Sequence, residues 1–286
     1  MAPTTVRSPA RDLAPGLYLV ATPIGNLRDI TLRALDVLGG VDLVLAEDTR
    51  VSGKLLAAHG LSRPLGRYDE HGAAKIRPKI LRALAGGARV ALISDAGTPL
   101  VSDPGYRLVV EAAAQGSPVI PIPGPSAVLA ALAVAALPTD RFLFVGFPPP
   151  KSSARRAFLG DVADVRATLV IFEGGSRLAA SLVDMAEVFG PRPAAVMREL
   201  TKLHETTIRG TLDVLAADAR FAAPRGEIVV VVGPRPPIAA TESDIDKALS
   251  DALEGSAPGA AAAKVARKLG LPRREAYARA LALKSR

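Results

Sequence analysis

The stretch "RVALISDAGTPLVSDPG", residues 89–105, decides how the chain is built. It begins as an apolar run of strand length and passes into a loop with two aspartates, each leading to a glycine, and two prolines. The run is apolar at both odd and even positions, which is the pattern of a strand covered on both faces in a parallel sheet. In open α/β sheets, ligands bind at the carboxyl ends of such strands. Gly97 and Gly105 accept backbone angles that other residues resist, and Pro99 and Pro104 limit the freedom of the unfolded loop. Asp95 and Asp103 can accept hydrogen bonds from a ligand's amino or hydroxyl groups. An ordinary Asp-Pro-Gly turn accounts for Asp103, which leaves Asp95 as the candidate with a role beyond shaping the loop.

The same pattern extends outward on both sides. "GLYLVA" (16–21), "VDLVLAE" (41–47) and "PVIPI" (118–122) read as further strands. Between them lie "DITLRALDVLGG", "SGKLLAAHG", "KIRPKILRALAGG" and "GYRLVVEAAAQG", each closing on a glycine as helices commonly do. Strand–helix alternation of this kind predicts an α/β fold with a mainly parallel sheet. A very apolar helix, "AVLAALAVAAL" (127–137), follows the Pro-Gly turn at 123–125 and is expected at the joint between two α/β units. A second alternation then supplies "RFLFVGF", "TLVIFEG", "PAAVMREL" and "GEIVVVVG" as strands. "GPRPPIAATESD" (233–244) reads as a linker. Beyond it, two helical stretches separated by "GLP" suggest a helix-turn-helix, with Pro272 opening the second. The expected division is a disordered tail over 1–15, α/β domains over 16–124 and 125–234, and a small all-α extension over 241–286.

Composition narrows the function classes. The 286 residues contain no cysteine, which removes disulfides, thiolate metal sites and cysteine nucleophiles. Three dispersed histidines do not make a zinc site, so no metal is expected. No apolar stretch is long enough to span a membrane, and the N-terminal residues lack the apolar core of a signal peptide, so a cytoplasmic protein is expected. The net charge of +8 is concentrated at one end. Between Lys264 and Arg286 there are eight basic residues against one acid, Glu275. Such a cluster serves either as a solvated tail or as contact for a polyanion, and Lys264, Arg267, Lys268, Arg273 and Arg274 are the candidate phosphate contacts.

Several shorter segments carry candidate chemistry. "ATPIGNLRD" (21–29) is a strand-to-helix turn in which Gly25 permits close backbone approach, but one glycine is not a dinucleotide fingerprint. "AEDTRVSGKLL" (46–56) gathers Glu47, Asp48 and Arg50 at a strand end. Helix capping by Asp48 or Thr49 and neutralisation of Glu47 by Arg50 is the competing structural account. His71, in "RYDEHG" (67–72), stands beside two acids whose charge can shift its titration. "GFPPPKSSARR" (146–156) sets Lys151, Arg155 and Arg156 beside a proline-stiffened loop, as a phosphate-backbone contact or as a solvated helix start.

Taken in order, "LYLVATPIGNLRDITLRALDVL", "DLVLAEDTRVSGKLL", "LISDAGTPLVSDPGYRLV", "PIPGPSA", "LPTDRFLFVGFPPPK", "RELTKLHE" and "RGEIVVVV" resemble the ribosomal RNA small subunit methyltransferase I family of the tetrapyrrole-methylase superfamily. The resemblance runs from about Gly16 to Gly233. It implies two α/β domains with a cofactor cleft between them, S-adenosylmethionine as methyl donor, and 2′-O-methylation of a cytidine in 16S rRNA, either free or within the 30S subunit. It also implies a homodimer. On matching positions it implies cofactor contacts at Ile24, Gly97, Thr98, Val101, Ser126 and Ala127, with Phe172 and Leu200 from the second domain. A positioned base assists a 2′-hydroxyl, and Asp95, Glu47 and His71 are the candidates. Asp95 is placed nearest the transferred methyl, as base and as cofactor neighbour, while Arg50 orients a carboxylate or touches phosphate. Two departures stand out: Gly72 where the family usually has Asn, and "FEGGSRL" (172–178) where many members carry "FES" or "YES". Two other readings use the same residues. A tetrapyrrole methylase of the superfamily would have little use for the basic tail, and a non-catalytic rRNA-binding assembly protein would not bind S-adenosylmethionine.

Overall fold

The computed structural model describes residues 13–69, 72–222, 224–236 and 242–284. His71 and the tail before Leu13 therefore lie outside the described residues. Two compact units are present, one ending at Pro234 and one beginning at Arg235.

The first unit opens with β1 (Gly16–Val20), α1 (Leu32–Gly40), β2 (Leu43–Ala46), α2 (Thr49–Ala58), β3 (Leu65–Arg67), α3 (Ala73–Ala85), β4 (Arg89–Ile93), α4 (Tyr106–Ala114) and β5 (Val119–Ile122). These five strands form one sheet in the order β3-β2-β4-β1-β5, and every pairing is parallel. Both faces are covered, which is why the strands are apolar throughout. Ala91 and Ile93 of β4 pack with Ala34, Val37 and Leu38 of α1 and with Leu55 and Leu56 of α2. Val90 and Leu92 point the other way, to Ile80, Leu81 and Leu84 of α3 and Leu108 of α4. Side-chain caps fix two helix starts: Thr31 Oγ1 accepts from the Ala34 amide at 3.1 Å, and Asp48 Oδ1 from the Arg50 amide at 2.8 Å.

The chain continues through α5 (Ala127–Ala135), β6 (Phe142–Gly146), α6 (Ser152–Gly160), β7 (Thr168–Gly174), α7 (Leu178–Phe189), β8 (Pro193–Arg198), β9 (Thr206–Thr211), α8 (Leu212–Ala216) and β10 (Glu227–Val232). This sheet runs β6-β7-β10-β8-β9 and differs from a second parallel sheet. Only β6 and β7 are parallel; β7–β10, β10–β8 and β8–β9 are antiparallel. The link from β8 to β9 is too short for a crossover helix, so the two strands must run antiparallel. Along β10, Ile228, Val230 and Val232 face Leu178, Leu182 and Met185 of α7. Val229 and Val231 face Val128, Ala131, Leu132 and Ala135 of α5. Ile24, from the loop after β1, is part of that second cluster. Helix α5 thus lines one face of the second sheet and meets the first half through Ile24.

In the second unit, α9 (Glu242–Leu253), α10 (Pro258–Leu269) and α11 (Arg273–Lys284) pack around Ile245, Leu249, Val265, Ala266, Ala276 and Ala280. Helix α9 occupies the end of the expected linker and adds a third helix to the expected pair. Gly270 caps α10 in the left-handed conformation (φ 71°), and the Leu271 amide donates back to the Ala266 carbonyl at 3.0 Å.

Candidate active site

Two loops at the carboxyl ends of β1 and β4 are tied by a pair of backbone hydrogen bonds. The Thr22 amide donates to the Gly97 carbonyl at 2.9 Å, and the Gly97 amide donates to the Thr22 carbonyl at 3.0 Å. Thr22 Oγ1 adds a bond to the Ser94 carbonyl at 2.9 Å. Gly97 adopts φ +86°, and a Cβ there would lie 3.3 Å from the Ile24 side chain. Leu100 (φ +75°) and Ser102 (φ +64°) also take left-handed angles, so the loop is strained at residues with side chains. Thr98 Oγ1 donates to the Pro125 carbonyl at 3.2 Å, holding this loop to the turn before α5.

Two cavities meet at Asp95. The first, about 430 Å³, is lined by Ile24, Gly25, Leu27, Val51, Ser52, Leu55, Ser94, Asp95 and Lys202, among others. The second, about 680 Å³, is lined by Glu47, Asp48, Thr49, Arg50, Arg67, Asp69 and Asp95. Both volumes are in the range of small-ligand sites. Walls differ in character: the first is largely apolar, while the second is charged. Asp95 Oδ1 accepts from the Asp48 amide at 3.1 Å, so its carboxylate is fixed where the two cavities adjoin. In the charged cavity, Arg50 Nη2 pairs with Asp48 at 2.6 Å and Arg67 Nη2 with Asp69 at 2.6 Å. The hydrogen bonds from Arg50 hold the Asp48 carboxyl well below the usual carboxylate range. Asp103 is different. Burial pushes its carboxyl up, a hydrogen bond with Ser94 partly opposes this, and the Asp95 charge pushes further upward.

The wall from the second sheet comes from "RELTK". Glu199 (φ +54°) and Thr201 (φ +66°) are left-handed, which turns Lys202 back toward the cavity. Lys202 Nζ lies 3.0 Å from both Glu199 Oε1 and Glu227 Oε2. Burial works against its charge, but the two carboxylates outweigh that and hold the ammonium above its usual range. A Cβ at Gly25 would lie 2.3 Å from the Lys202 side chain, so the close approach of the two halves requires glycine there. Ser52 Oγ is buried without a hydrogen-bond partner at the wall of the first cavity. An orphaned hydroxyl of this kind fits a polar ligand.

A family model described as Tetrapyrrole (Corrin/Porphyrin) Methylases matches residues 16–216. A protein of Erythrobacter litoralis named ribosomal RNA small subunit methyltransferase I is 51% identical over 96% of this chain and 98% of its own. Its namesake in Mesorhizobium japonicum is 59% identical over 69% of this chain and 67% of its own. The chain belongs to the ribosomal RNA small subunit methyltransferase I family.

Membership makes it an S-adenosylmethionine-dependent methyltransferase. A second model, described as the RsmI C-terminal HTH domain, matches residues 239–284. Among solved structures, diphthine synthase superposes with TM-score 0.60 at 15% identity, over 76% of this chain and 89% of that one. Uroporphyrin-III-C-methyltransferase from Thermus thermophilus gives 0.54 at 22% identity, over 77% and 94%. These two share the fold.

The sequence-predicted residues of this family member fall into groups. Ile24 and Asp95 line the larger apolar cavity, and Ile24, Ala127 and Leu200 line a smaller one against Val229. Glu47, Arg50 and Asp95 line the charged cavity. Gly97 and Thr98 act through the bonds described above. Ser126 Oγ caps α5 by accepting from the Leu129 amide at 3.4 Å. Val101 is exposed on the strained loop. Phe172 packs edge-on against Phe144 and Phe147, with ring centroids 4.8 and 5.4 Å away.

Of the expected phosphate contacts, Arg155 must be corrected. Its side chain is 3% exposed and donates from Nε to Asp184 Oδ2 at 2.6 Å and from Nη1 to the Pro150 carbonyl at 3.1 Å. It is a packing residue between α6 and α7, since an arginine on the inner face of a helix is buried only with a partner. Arg156 is half exposed and paired with Glu187 at 2.5 Å. Lys151 is exposed. In "FEGGSRL", Glu173 is buried; it accepts from Ser181 Oγ and from the Gly174 amide and pairs with Arg177 at 2.5 Å. A Cβ at Gly175 would sit 2.0 Å from the Pro224 carbonyl, which explains the second glycine. At the other departure, the Gly72 amide donates to Asp69 Oδ1 at 2.7 Å.

Sequence reasoning missed Ser52, Lys202 and Glu227. The Glu199–Lys202 spacing in "RELTK" is a signal for Lys202 alone, and a turn built on left-handed residues without glycine has no compositional mark.

Proposed function

We propose that this enzyme 2′-O-methylates a cytidine of 16S rRNA, in the cytoplasm and as a homodimer, with the rRNA assembled in the 30S subunit. Residues 16–124 and 125–234 supply the two walls of the cofactor cleft, and 241–286 serve the RNA. The observation that carries this reading is the position of Asp95 in the walls of an apolar and a charged cavity at once.

The apolar cavity suits the cofactor: Ile24, Leu27, Val51 and Leu55 offer apolar surface, Ser52 offers a free hydroxyl, and the Lys202 side chain, held by Glu199 and Glu227, closes the wall from the second sheet. S-adenosylmethionine supplies, when bound, a methyl group on a positively charged sulfur that an oxygen can attack in line. The charged cavity suits the target nucleotide: Arg50 and Arg67 are largely exposed and can exchange Asp48 and Asp69 for phosphate, and Glu47 lies in the same wall. A ribose 2′-hydroxyl is a poor nucleophile, and Asp95 is fixed by the Asp48 amide to accept its proton. Holding both reactants in line supplies much of the remaining rate. Exposed apolar side chains on the first unit, among them Leu32, Tyr106 and Leu129, support the homodimer.

Asp95→Asn keeps the acceptor for the Asp48 amide and loses the base. Its methyl transfer to small-subunit RNA is expected to fall by about 10²-fold or more, with calorimetric S-adenosylmethionine affinity near wild type. Wild-type turnover by this variant would refute the role. The target is identified by mass spectrometry of 16S rRNA nucleosides from a deletion strain, where loss of one 2′-O-methylcytidine is expected.

A further inference from the structure

We propose that the outer face of α11 binds an unpaired segment of RNA, with Tyr277 stacking on a base and the surrounding cations holding the phosphates. The inference rests on the rRNA substrate proposed above and adds which surface of the second unit takes the RNA, and in what state.

The face follows from the helical repeat. At 3.6 residues per turn, Arg273, Arg274, Tyr277, Leu281 and Lys284 fall within an arc of about 100°, and all five are exposed. Ala276 and Ala280 fall beyond the Arg273 edge of that arc and are buried in the three-helix core. Two of the three large apolar side chains of α11, Tyr277 and Leu281, thus point outward, while Leu283 packs against the core. Tyr277 is 45% exposed and Leu281 46%. The only acid of the helix, Glu275, is off the arc. Among the described residues, no carboxylate pairs with Arg273, Arg274 or Lys284, nor with Lys264, Arg267 or Lys268 of α10.

Arg279 marks the contrast. Its Nε lies 2.5 Å from Asp246 Oδ1, and Nη2 reaches Glu242 at 3.3 Å. It clasps α11 to α9 and is spent within the fold. The remaining cations have no such work. A purely solvated basic face would not set a tyrosine and a leucine at its middle, since exposed apolar groups cost solubility without helping charge. A face for paired RNA would need cations alone, because the bases of a duplex are stacked on one another and read through backbone and 2′-hydroxyls. An aromatic ring among unpaired cations is the chemistry of single-strand binding, where each base offers a π-face and each phosphate a charge.

The test uses the full-length protein and two fluorescein-labelled RNAs: a hairpin with an unpaired pyrimidine loop, and a fully paired duplex of equal length. Fluorescence anisotropy is read for wild type, Tyr277→Phe, Tyr277→Leu and Tyr277→Ala, with thermal melts to verify folding. Tyr277→Leu keeps apolar bulk and helix propensity but has no π-face. The expected result is hairpin binding about tenfold weaker for Tyr277→Leu and Tyr277→Ala, near wild type for Tyr277→Phe, and unchanged duplex binding for all three. Equal loss on both RNAs, or no loss on either, overturns the inference while leaving the rRNA reading in place. So does an effect of Tyr277→Leu on self-association in sedimentation, with RNA binding unchanged. A wild-type chain that binds neither RNA removes the rRNA reading and this inference together.

Discussion

Asp103 and Asp95 share one loop but face opposite energetic conditions. Asp95 is fixed by a backbone amide, while Asp103 has one carboxylate oxygen buried without a hydrogen-bond partner. Burial raises the Asp103 pKa above its ordinary 3.8, so the folded chain binds this proton more tightly than the unfolded chain does. The stability it contributes is fully present below pH 3.8 and is lost as pH rises through the raised value. At neutral pH the charged carboxyl is thus a liability. Asp103→Asn is expected to melt higher than wild type at pH 7, by a margin that disappears in melts below pH 3.8. A lower melting temperature at pH 7 would contradict this account. Little of this was legible beforehand. Both aspartates precede a glycine in a proline-rich loop, and only their depth and partners tell them apart.

At the scale of elements, α6 and α7 are joined by a buried ionic cluster. Asp184 accepts from Arg155 Nε at 2.6 Å and from Ser152 Oγ at 2.9 Å. Breaking such a buried pair costs about 3–5 kcal/mol, and the low end is expected here because Asp184 keeps Ser152 and a 3.7 Å contact with half-exposed Arg156. Arg155→Ala should show that loss in urea denaturation, and the joint replacement Arg155→Met with Asp184→Leu should recover most of it. In neither case is RNA affinity expected to change for the folded protein. From the sequence, Lys151, Arg155 and Arg156 looked alike because adjacent cations carry no label for helix face until the packing partner is known. Strands tell a similar story. β1, β2, β4 and β10 were legible because burial on two faces makes them apolar throughout. β9 escaped because "TTIRGT" holds only Ile208 against the core, and β3 because it has three residues.

The whole molecule separates into a unit that holds the cofactor cleft and one whose stretch from Lys264 onward carries most of the excess charge. Deleting residues 241–286 should leave S-adenosylmethionine binding unchanged and weaken rRNA binding more at low salt than at high salt. With Lys264, Arg267, Lys268, Arg273 and Arg274 gone, the slope of log affinity against log salt is expected to flatten by up to about 4. An unchanged slope in filter-binding titrations would count against these residues as phosphate contacts. The location of this charge was plain in the sequence. That Arg279 is bound within the fold was not, because an arginine on a helix gives no sign of a partner more than thirty residues away.

Ile24 belongs to a hydrophobic cluster made by α5 and the second sheet, with Met197, Leu200 and Val229. The loop that presents it leaves β1 near the start of the chain, and its neighbours come near the end of the first unit. On the ribosome, this loop must wait for almost the whole unit to be synthesised before its packing partners exist. The first sheet can assemble early from neighbouring strands and helices, but the cofactor cleft is among the last parts to close. The enzyme therefore acquires a place for its methyl donor only once its own translation through both halves is nearly done.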